Sequence, residues 1–175
     1  VKLFISPHND DETLFGSFLI QRERPLVLVV FDSYVQFARG TGIMINQRRK
    51  ETESAMQILG ASVKFMSHRD DRPDWCGIRE TLQYFGEPEM VYAPCPEPDG
   101  HEQHNILGDM CPALFPHVTH YMTYTKAGKS TGVPVKPEPQ WITKKLMALS
   151  CYESQIGLAN TREHFLRDLR EYTAK

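Results

Sequence analysis

The sequence has no apolar run approaching the roughly 20 residues that a membrane-spanning helix needs, so no span is expected. Its cysteines are few and unpaired: Cys76, Cys95, Cys111 and Cys151 form no Cys-x-x-Cys, which excludes a zinc ribbon or a redox motif of that type. Free thiols suit a reducing compartment, and a cytoplasmic location is expected. Net charge is also lacking. At -2 the chain carries no global basic field, so nucleic acid is not an expected partner. No Gly-x-Gly-x-x-Gly follows the first apolar run, which removes dinucleotide binding, and no Gly-x-Ser-x-Gly elbow is present for a serine hydrolase. Gly128-Lys129-Ser130-Thr131 ends like a phosphate-binding loop, but Thr123 stands where the first glycine is required.

What is present describes one compact domain over residues 1–175, with 41% apolar and 24% charged residues. Val1 to Ile5 is too short for a signal peptide and reads as the start of a strand. Strands are expected at 2–6, 26–31, 62–67, 90–93 and 118–125. Helices are expected at 10–22, 46–59, 74–85, 104–115, 141–158 and 161–172. Residues 32–45 read as a loop beside the site, and the Gly- and Pro-rich stretch 127–139 as a mobile, solvent-facing loop. Strands alternating with helices imply an α/β fold, a three-layer Rossmann-like and mostly parallel sheet with helices on both faces. Right-handed crossovers gather the strand-to-helix loops on one rim, where ligands of such sheets bind.

Two polar clusters fall on that rim. The first, Ser6-Pro7-His8-Asn9-Asp10-Asp11-Glu12, sits where the first strand becomes a helix. Helix capping and the helix dipole account for one or two carboxylates there, but they ask neither for His8 nor for three acids in a row. The second is Asp99-Gly100-His101-Glu102-Gln103-His104, after the fourth strand. A catalytic zinc takes three protein ligands from histidine and carboxylate and leaves a position for water. The two loops together supply that set with a base to spare.

These residues carry a resemblance. Residues 7–12 resemble the Pro-His-Pro-Asp-Asp-Glu signature of the LmbE-like, or PIG-L, zinc de-N-acetylases, and residues 99–104 resemble that family's Asp-x-His-Pro-Asp-His. Arg48, Glu51, Ala55, Leu59 and Gly60 match its Arg-x-x-Glu helix, while Lys145, Ala148, Tyr152, Ser154 and Gln155 resemble its late helix. The resemblance implies that His8, Asp11 and His104 bind the metal and that Asp10 is the general base. It makes a protonated His101 the partner of the oxyanion. Arg48, with Asp70 or Asp71, would bind substrate. Asp70 and Asp71 read equally as turn residues. His117 and His120, three apart in a strand, read as structural or surface residues, and Trp75 either as a platform for a sugar face or, at least as well, as a core or surface contact.

The implied reaction is hydrolysis of an N-acetyl group on a glucosamine-like sugar or sugar conjugate, by water activated on zinc. Two imidazoles and a carboxylate would also accept ferrous iron or cobalt. The alternatives are an amidase acting on a larger acyl or thiol conjugate, and an impaired homologue that only binds metal or sugar. The partner is a small N-acetylated molecule, and a homo-oligomer is compatible with the sequence. Two positions depart from the family pattern. Asn9 replaces a proline, which predicts a changed loop around an intact site. Gln103 replaces an acid, which predicts weaker control over the charge of the base and of His101.

Overall fold

The computed structural model describes residues 1–34, 45–157 and 169–174. The elements run β1 Lys2–His8, α1 Asp11–Glu23, β2 Leu26–Tyr34, α2 Ile45–Leu59, β3 Ser62–Arg69, α3 Trp75–Gln83, β4 Met90–Pro94 and α4 Glu102–Leu114. Then come β5 Val118–Tyr121, β6 Tyr124–Thr125, β7 Gly128–Lys129, β8 Val133–Pro134, α5 Pro139–Leu149, α6 Glu153–Ile156 and β9 Tyr172–Thr173. Seven strands form one sheet in the order β3-β2-β1-β4-β5-β9-β8. The five longest are parallel, and β9 and β8 add an antiparallel edge.

Strand alternation divides the core. Phe4, Val27 and Val29 point to a face covered by α1, α2 and α5. Leu3, Ile5, Leu28 and Val30 point to the face covered by α3 and α4. Helix α1 presses directly on β1 because Gly16 has no side chain; a Cβ there would lie 2.1 Å from Phe4 Cζ. Between β1 and β4 the connections reverse direction along the sheet. That switch point opens at the carboxyl ends of both strands. His8 ends β1, and the loop after β4 leads to His101 and His104.

The carboxy-terminal third departs from the sequence expectation. The helix expected over 141–158 is two helices, α5 and α6, with a turn at Ser150–Cys151 and Leu158 outside the described residues. Glu51 holds that arrangement by accepting the Ser154 amide at 2.9 Å and its hydroxyl at 2.6 Å. Most of the last expected helix, 161–168, lies outside the described residues, but Tyr172 is in a strand. The expected strand 118–125 breaks after Tyr121, and Tyr124–Thr125 instead pairs with Gly128–Lys129 in a hairpin. The stretch expected to be a mobile loop therefore contains two short strands. Val133–Pro134 joins the edge of the main sheet, where a proline is tolerated. Gly132 makes that pairing fit, since a Cβ on it would lie 2.1 Å from the Thr173 carbonyl oxygen.

Candidate metal centre

Three donor atoms from the two clusters meet at the switch point. Asp11 Oδ2 lies 3.1 Å from His8 Nδ1 and 3.0 Å from His104 Nε2, and the two ring nitrogens are 3.3 Å apart. A tetrahedral ion with bonds of about 2.0–2.1 Å needs ligand atoms about 3.3 Å apart. The triangle is therefore close to the size of one face of a zinc tetrahedron. These are the three residues that could hold a metal ion among those described. The metal that the resemblance implies fits the residues present, both by donor type and by spacing.

Local structure explains the convergence. Asp11 is the first residue of α1, and His8 ends β1 three residues earlier, so the turn folds one side chain onto the other. His104 lies in the first turn of α4, where the helix carries it inward and leaves it buried. Burial alone would raise the Asp11 pKa, but the two imidazoles outweigh it and hold the carboxylate well below its usual range. Burial works against charge on His8 too, yet contacts with Asp11 and Gln103 leave its pKa raised.

Asp10 stands beside the triangle with a carboxylate outside it. Its backbone is at φ 114, in a region few non-glycine residues adopt, and its side chain does not cap α1. The strained turn is held from two sides. Glu12 accepts the Asp10 amide at 3.2 Å, while Arg48 donates to Asp10 Oδ2 at 3.1 Å and to the Asn9 carbonyl. Burial pushes the Asp10 pKa up to about 7, against the opposing charge of Arg48.

His101 caps α4 rather than joining the triangle: its Nδ1 accepts the Gln103 amide at 3.3 Å. These surroundings work against charge on the ring that the resemblance makes the oxyanion's partner. Partial enclosure and the neighbouring His8 and His104 push its pKa down to about 4. With Nδ1 accepting, the ring is neutral and carries its hydrogen on Nε2. Arg48 points into the site and does not pair with Glu51 or Glu53 on its own helix. Asp70 and Asp71 separate: Asp71 is held by Arg69 through two contacts of 2.8 Å, as a turn residue would be. Both acids line a small cavity of about 220 Å³ with His8, His101 and Gln103, Asp71 with its carboxylate already engaged by Arg69. Trp75 meets Phe31 edge-on at 5.6 Å, and His120 Nε2 lies 3.0 Å from the Gly108 carbonyl, so both serve packing.

A cavity of about 580 Å³ at the triangle is lined by the polar Asp10, Arg48, His101 and Gln155 and by the apolar or aromatic Leu14, Phe15 and Tyr124. Phe15 and Tyr124 meet edge to face at 4.8 Å. The hairpin that carries Tyr124 also braces the second cluster. Thr125 bridges to Gly100, and the Lys126 amide donates to the Asp99 carbonyl at 3.0 Å.

Several contributors escaped the sequence reading. Glu12 is fully buried; it takes hydrogen bonds from Tyr152, from Ser6 at 2.8 Å and from the Asp10 amide, and it holds the strained turn. Its signal was the third acid of the run, which capping could not explain. Tyr124 and Phe15 gave no signal, since a single aromatic residue reads as core. Gln103 was expected to bear on Asp10 and on the His101 charge, but its side chain instead touches His8 Nε2 at 2.6 Å.

The family described as PIG-L, GlcNAc-PI de-N-acetylase, matches residues 3–115. That range holds both clusters and the Arg48 helix. No curated protein matches the chain. Among solved structures, GalB, the 4-carboxy-2-hydroxymuconate hydratase of Pseudomonas putida, is 16% identical with a TM-score of 0.72, covering 99% of this chain and 94% of its own. The zinc-inhibited form of the teicoplanin deacetylase Orf2 is 18% identical with a TM-score of 0.71, covering 96% and 89%. A conserved protein from Thermus thermophilus is 18% identical with a TM-score of 0.70, covering 99% and 93%. At these identities the likeness establishes the α/β fold, and it spans a hydratase as well as a deacetylase.

Proposed function

Because the chain belongs to the PIG-L family of GlcNAc-PI de-N-acetylases, we propose that it hydrolyses the acetamide of an N-acetylated amino sugar or sugar conjugate, with a divalent metal held by His8, Asp11 and His104. The observation that carries this reading is the 3.0–3.3 Å triangle with the carboxylate of Asp10, held by Arg48, outside it and beside it.

An amide is a poor electrophile and water a poor nucleophile at neutral pH. A bound zinc would lower the pKa of its water to about 7 and polarise the acetamide carbonyl. We assign Asp10 as the base that takes the proton, a role supported by its position in the cavity lining and by its pairing with Arg48. His101 offers a neutral N–H toward the developing oxyanion, and losing such a donor typically costs about 10²–10³ in rate. Asp10, protonated in that first step, then returns the proton to the leaving amine. Arg48 and Asp70 are the groups we assign to substrate hydroxyls, and Asp71, occupied by Arg69, is not among them. Phe15 and Tyr124 supply an apolar wall suited to the face of a sugar ring.

Zinc is the default ion because it needs no redox protection, and iron or cobalt would fit the same donors. The zinc-inhibited form of the teicoplanin deacetylase makes metal loading a variable to titrate. The test is acetate release from a panel of N-acetylated sugars and conjugates at increasing zinc, ferrous iron and cobalt. Activity should vanish on chelation, return on metal addition and be absent in His104→Ala. Metal-loaded protein that releases acetate from none of them would leave a binding homologue as the better reading. Turnover confined to longer acyl chains would favour the amidase.

A further inference from the structure

The amide of Gln103 is held at both ends. Its Nε2 donates to the Asp70 carbonyl at 2.6 Å, and its Oε1 lies 2.6 Å from His8 Nε2. A backbone carbonyl only accepts, so the amide nitrogen must face Asp70 and the amide oxygen must face His8. The hydrogen in the second contact then belongs to His8 Nε2. Only Nδ1 of that ring is left to offer a lone pair, and Nδ1 is the atom that faces Asp11 and His104.

We propose that Gln103 is the positioning residue of the metal centre: its neutral amide fixes His8 as an Nδ1 ligand and ties that ligand to the loop after β3. This rests on the metal reading above. Turning the ring over would set a carbon against the amide oxygen and lose the hydrogen bond, so the ligand is held in its binding orientation before any metal arrives. A carboxylate in the same place would also accept from Nε2, but it would add a negative charge beside His8 and have no hydrogen to give Asp70. The amide accomplishes the orientation with no added charge.

The tests use zinc alone. Gln103→Leu, close in size but unable to accept, should weaken zinc by about 10–100-fold in chelator competition. Its circular dichroism and melting temperature without metal should stay near wild type. Gln103→Glu restores an acceptor and should bind zinc at least as tightly as wild type. In zinc-loaded wild-type protein, long-range ¹H–¹⁵N spectra should show His8 protonated at Nε2 and metal-bound at Nδ1, a signature that general structural support would not produce. A folded Gln103→Leu with wild-type zinc affinity, or a spectrum with Nε2 on the metal, overturns the proposal while leaving the metal site intact. Wild-type protein that binds no zinc overturns the metal reading and this inference with it.

Discussion

Helix α1 touches two buried polar clusters that differ in how completely their groups are paired. Midway along it, Lys145 from α5 donates to the Leu14 carbonyl at 2.9 Å and to Glu171 at 2.6 Å, with its ammonium 4.9 Å from the Phe18 ring. Glu171 in turn accepts the Ser17 hydroxyl at 2.6 Å and the Phe18 amide at 2.8 Å. Charge meets opposite charge, donors meet acceptors, and both residues are 1% exposed. At the amino end of the same helix, three donor atoms that could hold a metal crowd within 3.0–3.3 Å beside a strained acid. Near them, His104 Nδ1 and Arg48 Nε have no hydrogen-bond partner, and the group opens onto the cavity. The first cluster is complete without a ligand and serves to fasten α5 and the carboxy-terminal segment to α1. The second holds its groups in positions that folding alone does not reward, as expected where strain and unpaired donors serve chemistry.

The sharpest way to break this contrast is Asp10→Asn. If the open cluster is chemical, acetate release should fall by about 10²–10⁴ while zinc content is unchanged. The melting temperature should not drop, because asparagine also tolerates a positive φ and a buried carboxylate is removed. Metal analysis, acetate assay and a thermal melt on one preparation decide it; an Asp10→Asn enzyme with near-wild-type turnover removes Asp10 from the role of base. The closed cluster should respond the other way. Lys145→Ala leaves Glu171 buried and unpaired, at about 3–5 kcal/mol of stability measured by denaturant unfolding. The protein that remains folded should turn over at close to the wild-type rate. Lys145→Met combined with Glu171→Leu should recover part of the loss, because no lone charge is left in the core.

The open cluster was legible in the sequence and the closed one was not, and the reason is range. Residues 8–12 are consecutive, so a strand running into a helix fixes their relation within one turn. Residues 101–104 reach them through a rule of topology, that parallel strands end on one rim. Lys145 and Glu171 are 26 residues apart, meet through a segment that pairs at the far edge of the sheet, and share no pattern that periodicity detects. The same limit explains the loop expected at 127–139: Gly and Pro there read as breakers, but Val133–Pro134 finds its partner in Tyr172–Thr173. It also explains Gln103. Its departure from the family pattern was visible, but the direction of its amide depended on the Asp70 carbonyl, 33 residues earlier.

Asn9 lies at the boundary between the clusters' two kinds of order, and it sets the smallest expected effect. Its Oδ1 accepts the hydroxyl of Thr52 at 3.0 Å, and both residues are buried, at 2% and 0% exposure. A proline, usual at this place in the family, could not make that bond, so the loop is tied to α2 here by a contact of its own. Asn9→Ala removes one of the two partners of the Thr52 hydroxyl, which also bonds Tyr152, and should cost about 0.5–1.5 kcal/mol. Thr52→Val, alone and together with Asn9→Ala, completes a double-mutant cycle whose coupling reads the Asn9–Thr52 bond. Zinc affinity should be unmoved in both variants, because the donor triangle is built from His8, Asp11 and His104 without the Asn9 side chain. A loss of zinc on Asn9→Ala would mean that the turn is not set by Glu12 and Arg48 alone and that the Thr52 tie is part of the metal centre.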